Sequence, residues 1–362
     1  MTLAAIDHNW NFSRFLSRYD YGWQALNYAL GHAGRSYAGE PPCHTGKRLP
    51  DIRVAVYCGQ LKCGGSDRTS ILLAANLPFS VVGLCNAQPA LVYEPFRTYL
   101  LLHGVPYCEK EIPACDVLVA SGPAPSNTAL PKGLRAVVFF LNAMTEAAAK
   151  DYESWRALNL PKLGCVSAAF SLNAEALVVW NGADELASNG ERHGIVYLGR
   201  YAWEKNLYAL IAAASRTPAQ IDMFGEGSEE QALRLALTYW VAPNVNIYPP
   251  ADTSTILSRY DALILSSVLE ASPSVVAEAM LSGAIVIATP VGDVPAIIGD
   301  GRGVLSSSCR PEHILDAIET YRAMKHTDKE IMRLKAKRFA QKHLTVRAMC
   351  SGFADAIVNV AS

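Results

Sequence analysis

From Arg53 onward, short apolar runs rich in β-branched residues alternate with segments of helical period, and that order admits few folds. Arg53–Cys58 reads as a buried strand, Gln60–Ser66 as a loop and Arg68–Leu77 as a helix. Ser80–Cys85 is a second strand, Phe96–His103 a helix and Val105–Cys108 a short strand, with further β-rich runs at Asp116–Ala120 and Ala136–Leu141. Strands separated by helices pair in parallel and need cover on both faces, so the pattern predicts a doubly wound α/β sheet. Such sheets bind ligands at the carboxyl ends of their strands.

The second half repeats the pattern. Strands are expected at Gly194–Gly199, Gln220–Phe224, Val245–Tyr248, Ala262–Leu265, Ala284–Ala288 and Gly303–Leu305. Between them, Asn206–Ser215 carries Leu207, Leu210, Ile211 and Ala214 at i, i+3, i+4 and i+7, and Glu229–Tyr239 and Thr253–Arg259 also read as helices. Pro311–Met324, Asp328–His343 and Thr345–Val360 close the chain as helices. A chain of 362 residues exceeds one ordinary core, so two Rossmann-like domains in tandem are expected. The division is an N-terminal domain over 51–176, a C-terminal domain over 177–343 and a last helix over 344–362, with the boundary near Leu177–Ser188. Residues 1–50 form a separate block, in which Trp10, Phe12, Phe15, Leu16, Tyr19, Trp23, Leu26 and Leu30 recur at helical spacing before a linker from Gly39 to Pro50. That block is expected to pack; its polar face is not strongly basic, so any membrane contact is at most peripheral.

Several classes are excluded. Lys plus Arg number 32 against 33 Asp plus Glu, which gives no electrostatic footprint for nucleic acid. The nine cysteines are odd in number, contain no Cys-x-x-Cys pair and fall partly inside apolar strands, the usage of reduced, buried cytosolic thiols. No Cys/His cluster has the spacing of a metal site. The sequence shows no basic-then-apolar leader and no apolar run long enough to span a membrane.

The candidate chemistry sits at strand-to-helix junctions. Gly199-Arg200-Tyr-Ala-Trp-Glu204-Lys205-Asn206 places two cations beside a helix start, where a diphosphate could be gripped by the Arg fork and a Lys point charge. Phe224-Gly225-Glu-Gly227 is either a plain turn or a close approach of backbone to a base or ribose. Glu270-Ala-Ser272-Pro273-Ser274-Val275-Val-Ala-Glu278 puts a carboxylate in a loop, a helix start at Ser272 as N-cap and Pro273 at the first position, and a second carboxylate two turns on. The amides of Ser274 and Val275 at that start suit an anion. Gly64-Gly65, after the first strand, is either a tight turn or a second close approach. Thr289-Pro-Val-Gly-Asp293-Val-Pro295 reads as a strand-end loop. A nicotinamide-dependent dehydrogenase is poorly supported, because no Gly-x-Gly-x-x-Gly follows the first strand.

In order and spacing these segments resemble the retaining glycosyltransferases of family 4. Val179-Trp-Asn181-Gly-Ala-Asp184 is similar to that family's Asn-Gly-Val-Asp linker, and Gly199-Arg200…Glu204-Lys205-Asn206 to its Gly-Arg…Glu-Lys-Gly motif. Phe224-Gly-Glu-Gly227 matches its Gly-x-Gly turn, Glu270…Glu278 its Glu-x7-Glu motif, and Thr289–Ile298 resembles its Thr-x-x-Gly-Gly-x-Pro-Glu-Ile loop. The match is dense over residues 177–325, looser over 51–176 and absent from 1–50.

The resemblance implies a GT-B fold, two Rossmann-like domains facing across a cleft, with the last helix crossing back to the N-terminal domain. It implies a retaining, metal-independent transfer from a nucleotide-diphosphate sugar to a hydroxyl of a glycan, lipid or small-molecule acceptor, with no cofactor. Arg200 and Lys205 would stabilise the leaving diphosphate, Glu270 would contact the donor sugar and Glu278 the ribose. Amides of Ser272, Pro273-Ser274 and Val275 would border sugar and phosphate, and Gly64-Gly65, Gly225 and Gly227 the nucleotide. The implied location is cytoplasmic, free or peripheral at the inner face of a membrane, in polysaccharide or glycoconjugate biosynthesis. One departure stands out. The family carries a His in an N-domain loop, whereas the strands here end at Asn142 and at Ser121-Gly122. Asn142 or Ser121 is the substitute; the alternative is a GT-B-like protein that binds sugar nucleotide or glycan with weak or no catalysis.

Overall fold

The computed structural model describes residues 51–61, 65–88, 92–109, 111–126, 130–141, 146–167, 177–184 and 191–362. Residues 1–50, Gly64 and Asn142 therefore lie outside the described residues. Two compact units are present: one contains 187–270 and 283–334, the other 51–186, 271–282 and 335–362.

The second of these is built on a seven-stranded sheet. Its strands are β1 (Arg53–Cys58), β2 (Ser80–Asn86), β3 (Tyr107–Glu109), β4 (Val117–Ser121), β5 (Ala136–Leu141), β6 (Leu163–Ser167) and β7 (Leu177–Val178). They lie in the order β3-β2-β1-β4-β5-β6-β7, and every pair is parallel. The period of two along each strand divides two cores. Val54, Val56, Val117 and Val119 face α1 (Gly65–Asn76) and the last helix, α11 (Val346–Ala361), through Ile71, Leu73, Met349, Phe353 and Ile357. Ala55, Tyr57, Leu118 and Phe139 face α3 (Glu146–Arg156) through Tyr152 and Trp155. Trp155 is fully buried, and its indole N–H donates to the Gly122 carbonyl at 2.9 Å. Helix α2 (Glu94–Leu102) leads into β3.

Helix α11 is seated by backbone. Ala183 N–H donates to Leu344 C=O at 2.9 Å and Val346 N–H to Ala183 C=O at 3.1 Å. The Thr345 hydroxyl caps the helix by accepting from Ala348 N–H at 3.1 Å. A Cβ on Gly182 would come within 2.3 Å of the Thr345 oxygen, so only glycine allows this approach.

The six-stranded unit contains β8 (His193–Leu198), β9 (Ile221–Phe224), β10 (Val245–Tyr248), β11 (Tyr260–Leu265), β12 (Ile285–Ala288) and β13 (Val304–Leu305). The order is β10-β9-β8-β11-β12-β13, again parallel. Its core joins Ile195, Ile221, Met223, Ile264 and Ile287 to α4 (Leu207–Ala214), α5 (Glu230–Tyr239) and α9 (Pro311–Ala323). Helices α6 (Thr253–Leu257) and α8 (Val294–Ile298) also belong to it, while α7 (Ser274–Ser282) falls in the seven-stranded unit and α10 (His326–His343) straddles the division. No helix among the described residues is long and apolar enough to cross a membrane. The seven described cysteines, Cys58, Cys85, Cys108, Cys115, Cys165, Cys309 and Cys350, are all free thiols.

Candidate active site

In the six-stranded sheet the strand order reverses between β8 and β11, and both strands end in loops at this switch. The loop after β8 carries Arg200 and Lys205; the loop after β11 carries Ser266, Ser267 and Glu270. A crevice at the carboxyl ends of strands flanking a switch point is where open α/β sheets take ligands.

The two loops are tied together. Val268 N–H donates to Glu204 C=O at 2.9 Å, and the Ser266 hydroxyl to Lys205 C=O at 2.8 Å. Lys205 Nζ lies 2.7 Å from Glu270 Oε1, and the Ser267 hydroxyl donates to the same oxygen at 2.7 Å. Both contacts use Oε1, which leaves Oε2 as the oxygen open to a ligand hydroxyl. Side chains of this pair are 18% and 12% exposed, so the charges are largely desolvated and each depends on the other. Arg200 pairs with Glu204 at 2.8 Å but keeps 62% of its side chain in solvent. Its guanidinium is thus free to turn towards an anion.

Below the Arg200 loop lie two buried tyrosines. Tyr197 donates its hydroxyl to the Arg200 carbonyl at 2.8 Å, and Tyr201 shares its one hydroxyl proton between the carbonyls of Met223 at 2.8 Å and Tyr248 at 3.1 Å. Burial, followed by the nearby Glu270 carboxylate, pushes the Tyr197 phenol well above its ordinary range, so it remains a donor. Asn206, which stands where the resembling motif has glycine, adopts φ 54°, ψ 39°. That left-handed conformation suits Gly or Asn. Its side-chain amide also donates to Ser266 C=O at 3.1 Å and Cys309 C=O at 2.9 Å.

Gly225 and Gly227 sit against this loop, and the backbone explains why both lack a side chain. A Cβ on Gly225 would stand 1.9 Å from the Gly199 oxygen, and one on Gly227 2.3 Å from the Tyr201 oxygen. Tyr201 N–H donates to Glu226 C=O at 2.7 Å, and Glu229 N–H to Tyr201 C=O at 3.1 Å. The glycine turn therefore shapes the loop that presents Arg200.

The seven-stranded unit holds a separate polar cluster. Asn181 N–H donates to the Ser272 hydroxyl at 3.0 Å, and Asn181 Nδ2 to Ser272 C=O at 2.6 Å. Ser272, expected as a helix cap, thus spends its hydroxyl as an acceptor for Asn181. Helix α7 begins at Ser274, and Val276 N–H to Pro273 C=O at 3.0 Å closes its first turn, after the amides of Ser274 and Val275. Glu278 is only 4% exposed and is ion-paired with Arg68 of α1. Thr69 donates to Asn181 Oδ1 at 3.1 Å, and Gly65, with its missing Cβ 3.8 Å from Ser274 Oγ, lies beside the start of α7. Ser121, at the end of β4, is buried with its hydroxyl 3.2 Å from that of Ser70. In the sequence Arg68 stands out only as the start of a helix: its partner is 210 residues away, and nothing local marks it as a site residue. Among the described residues, no cluster of three or more His, Cys, Asp or Glu is placed to hold a metal ion.

Comparison with known proteins finds similarity over the C-terminal half in sequence and over most of the chain in fold. The model of "Glycosyl transferases group 1" matches residues 180–342. Sulfoquinovosyl transferase SQD2 of Arabidopsis thaliana is 28% identical over 162 residues, which cover 43% of this chain and 32% of that protein. The chain therefore spans about a third of the length of this curated relative. Among solved structures, Anabaena Alr3699/HepE in complex with UDP and glucose superposes with a TM-score of 0.68 at 15% identity, covering 85% of this chain and 100% of that one. Sucrose-phosphate synthase of Thermosynechococcus elongatus gives 0.62 at 14%, covering 85% and 98%. At such identities the likeness is one of fold: two parallel-sheet α/β domains of the GT-B kind. Residues 180–342 of this chain are thus similar to the glycosyl transferases group 1 family, on a fold shared with these solved structures.

Proposed function

We propose that the protein transfers a sugar from a nucleotide-diphosphate sugar to a hydroxyl acceptor with retention of anomeric configuration and without a metal ion. The observation that carries this reading is the Lys205–Glu270 pair at the switch point, beside the mobile charge of Arg200. Breaking the bond between the anomeric carbon and the diphosphate oxygen loads negative charge on the leaving group. Fixed cations lower that barrier most when they are desolvated and already in place. Lys205 is such a cation, and Arg200, still solvated, can turn in to add a second charge, so that the two together bring the charge a metal would otherwise supply. The new bond forms from the acceptor oxygen to the same face of the anomeric carbon, and the acceptor proton leaves with the departing phosphate oxygen. Glu270 Oε2 takes a donor-sugar hydroxyl, and Glu278 the ribose hydroxyls. A UDP-sugar is the first donor to test, because Anabaena Alr3699/HepE has been solved with UDP-glucose. The acceptor is a glycan, a lipid-linked sugar or a small molecule met in the cytoplasm or at the inner face of a membrane.

Nucleotide release measured with UDP-, GDP- and ADP-sugars, with and without acceptor, tests the reading. At least one donor should release nucleotide, and Lys205→Ala should cut turnover about 100-fold while retaining nucleotide binding. Glu278→Ala should weaken nucleotide binding about tenfold. Binding of a donor with no release from any would make the protein a sugar-nucleotide binder instead.

A further inference from the structure

The geometry points to Arg68 as the positioning residue that holds Glu278 ready for the ribose of the donor nucleotide. Glu278 is almost fully buried in the middle of α7, where a carboxylate needs a partner to stay charged. Arg68 supplies a charge-assisted contact from α1. Its own place is otherwise unfavourable: it lies one turn into a helix whose N-terminus repels cations. A cation retained there while 35% of its side chain remains solvated is placed for what it touches.

The pair does not stand alone. Asn181 accepts from Thr69 on α1 and donates to Ser272, two residues before α7 begins. The Thr69 hydroxyl shares its one proton between Asn181 Oδ1 at 3.1 Å and the Gly65 carbonyl at 3.0 Å. Residues 65, 68 and 69 therefore address residues 274, 278 and, through Asn181, 272. One helical turn of α1 fixes both the start of α7 and the carboxylate two-thirds along its first two turns.

This rests on the proposed role of Glu278, and the experiment separates the two. Calorimetric titration compares UDP, ADP and GDP with their 2′,3′-dideoxy counterparts on the full chain, its Arg68→Gln and Arg68→Lys variants, and Glu278→Gln. The parent should prefer the ribose form of its best nucleotide, and Glu278→Gln should abolish that preference. Arg68→Gln should reduce it about tenfold, with the dideoxy affinity little changed, and Arg68→Lys should recover most of it. A merely structural role would lower both affinities together and leave the ratio intact. A ratio unchanged in Arg68→Gln, with Glu278→Gln impaired, overturns the inference. If Arg68→Gln fails to fold, a Lys variant that folds and loses the preference altogether overturns it too. A parent that binds none of the nucleotides, or that shows no ribose preference, sinks the reading of Glu278 itself.

Discussion

Asn206 does two jobs at one position: it accepts a left-handed backbone and clamps two carbonyls from different parts of the six-stranded unit. The substitutions separate them. Asn206→Gly keeps the backbone and loses the clamp, and should cost about 1 kcal/mol. Asn206→Ala loses both, and should cost about 2–3 kcal/mol. Chemical denaturation of both variants checks the order; an alanine variant as stable as the glycine one would show that the backbone conformation is not strained. Lys205 immediately precedes this residue, so turnover is expected to fall with stability in the same order. At this scale the sequence points to residues where chemistry and motif coincide, as at Lys205 and Glu270, and the fold brings those two side chains into contact. The sequence is silent where a partner is remote: Arg68 and Glu278 are joined only by the fold.

Strands announced themselves better than helices. The strands β1, β4, β5, β11 and β12 are largely buried and rich in Val, Ile, Leu and Phe, and the period of two assigns them two faces. Strand β6, Leu-Gly-Cys-Val-Ser, carries a glycine and few large apolar groups, and α3 offers mainly Tyr152 and Trp155 to the core, so neither has a strong period. Helix α8 hides within Thr289–Ile298 because its five residues give no full repeat. The glycine turn after β9 had two readings, a plain turn or a ligand approach, and its contacts add a third: it is a mould for the neighbouring loop. Gly225→Ala would drive a methyl into the Gly199 carbonyl. The expected outcome is a loss of about 2–3 kcal/mol in stability and a fall in turnover, with Arg200 displaced. Thermal melting with donor turnover measures both, and a variant with parental melting temperature would show that the loop accommodates.

Across the molecule the thiols offer a test of both units at once. Burial pushes Cys85, Cys165, Cys309 and Cys350 up to about 12, and Cys115 to about 11. A thiol needs its thiolate to react, so at pH 8 these five should resist iodoacetamide in the folded protein and react once denatured. Peptide mapping of the label reads each unit separately, Cys309 for the six-stranded one and the others for the seven-stranded one. Rapid labelling of Cys350 in native buffer would mean that α11 detaches.

That last helix has a consequence for how the protein is made. Its Met349, Phe353 and Ile357 belong to the core formed by the earliest described strands. On the ribosome, β1 emerges first yet lacks part of its cover until residues 335–362 have followed. The six-stranded unit, by contrast, has all of its described residues by Leu334. Domains commonly fold in the order in which they are synthesised. Among the described residues the order is inverted: the unit whose strands come first is completed after the other, and its half-covered sheet must be kept from other chains until residues 335–362 are made.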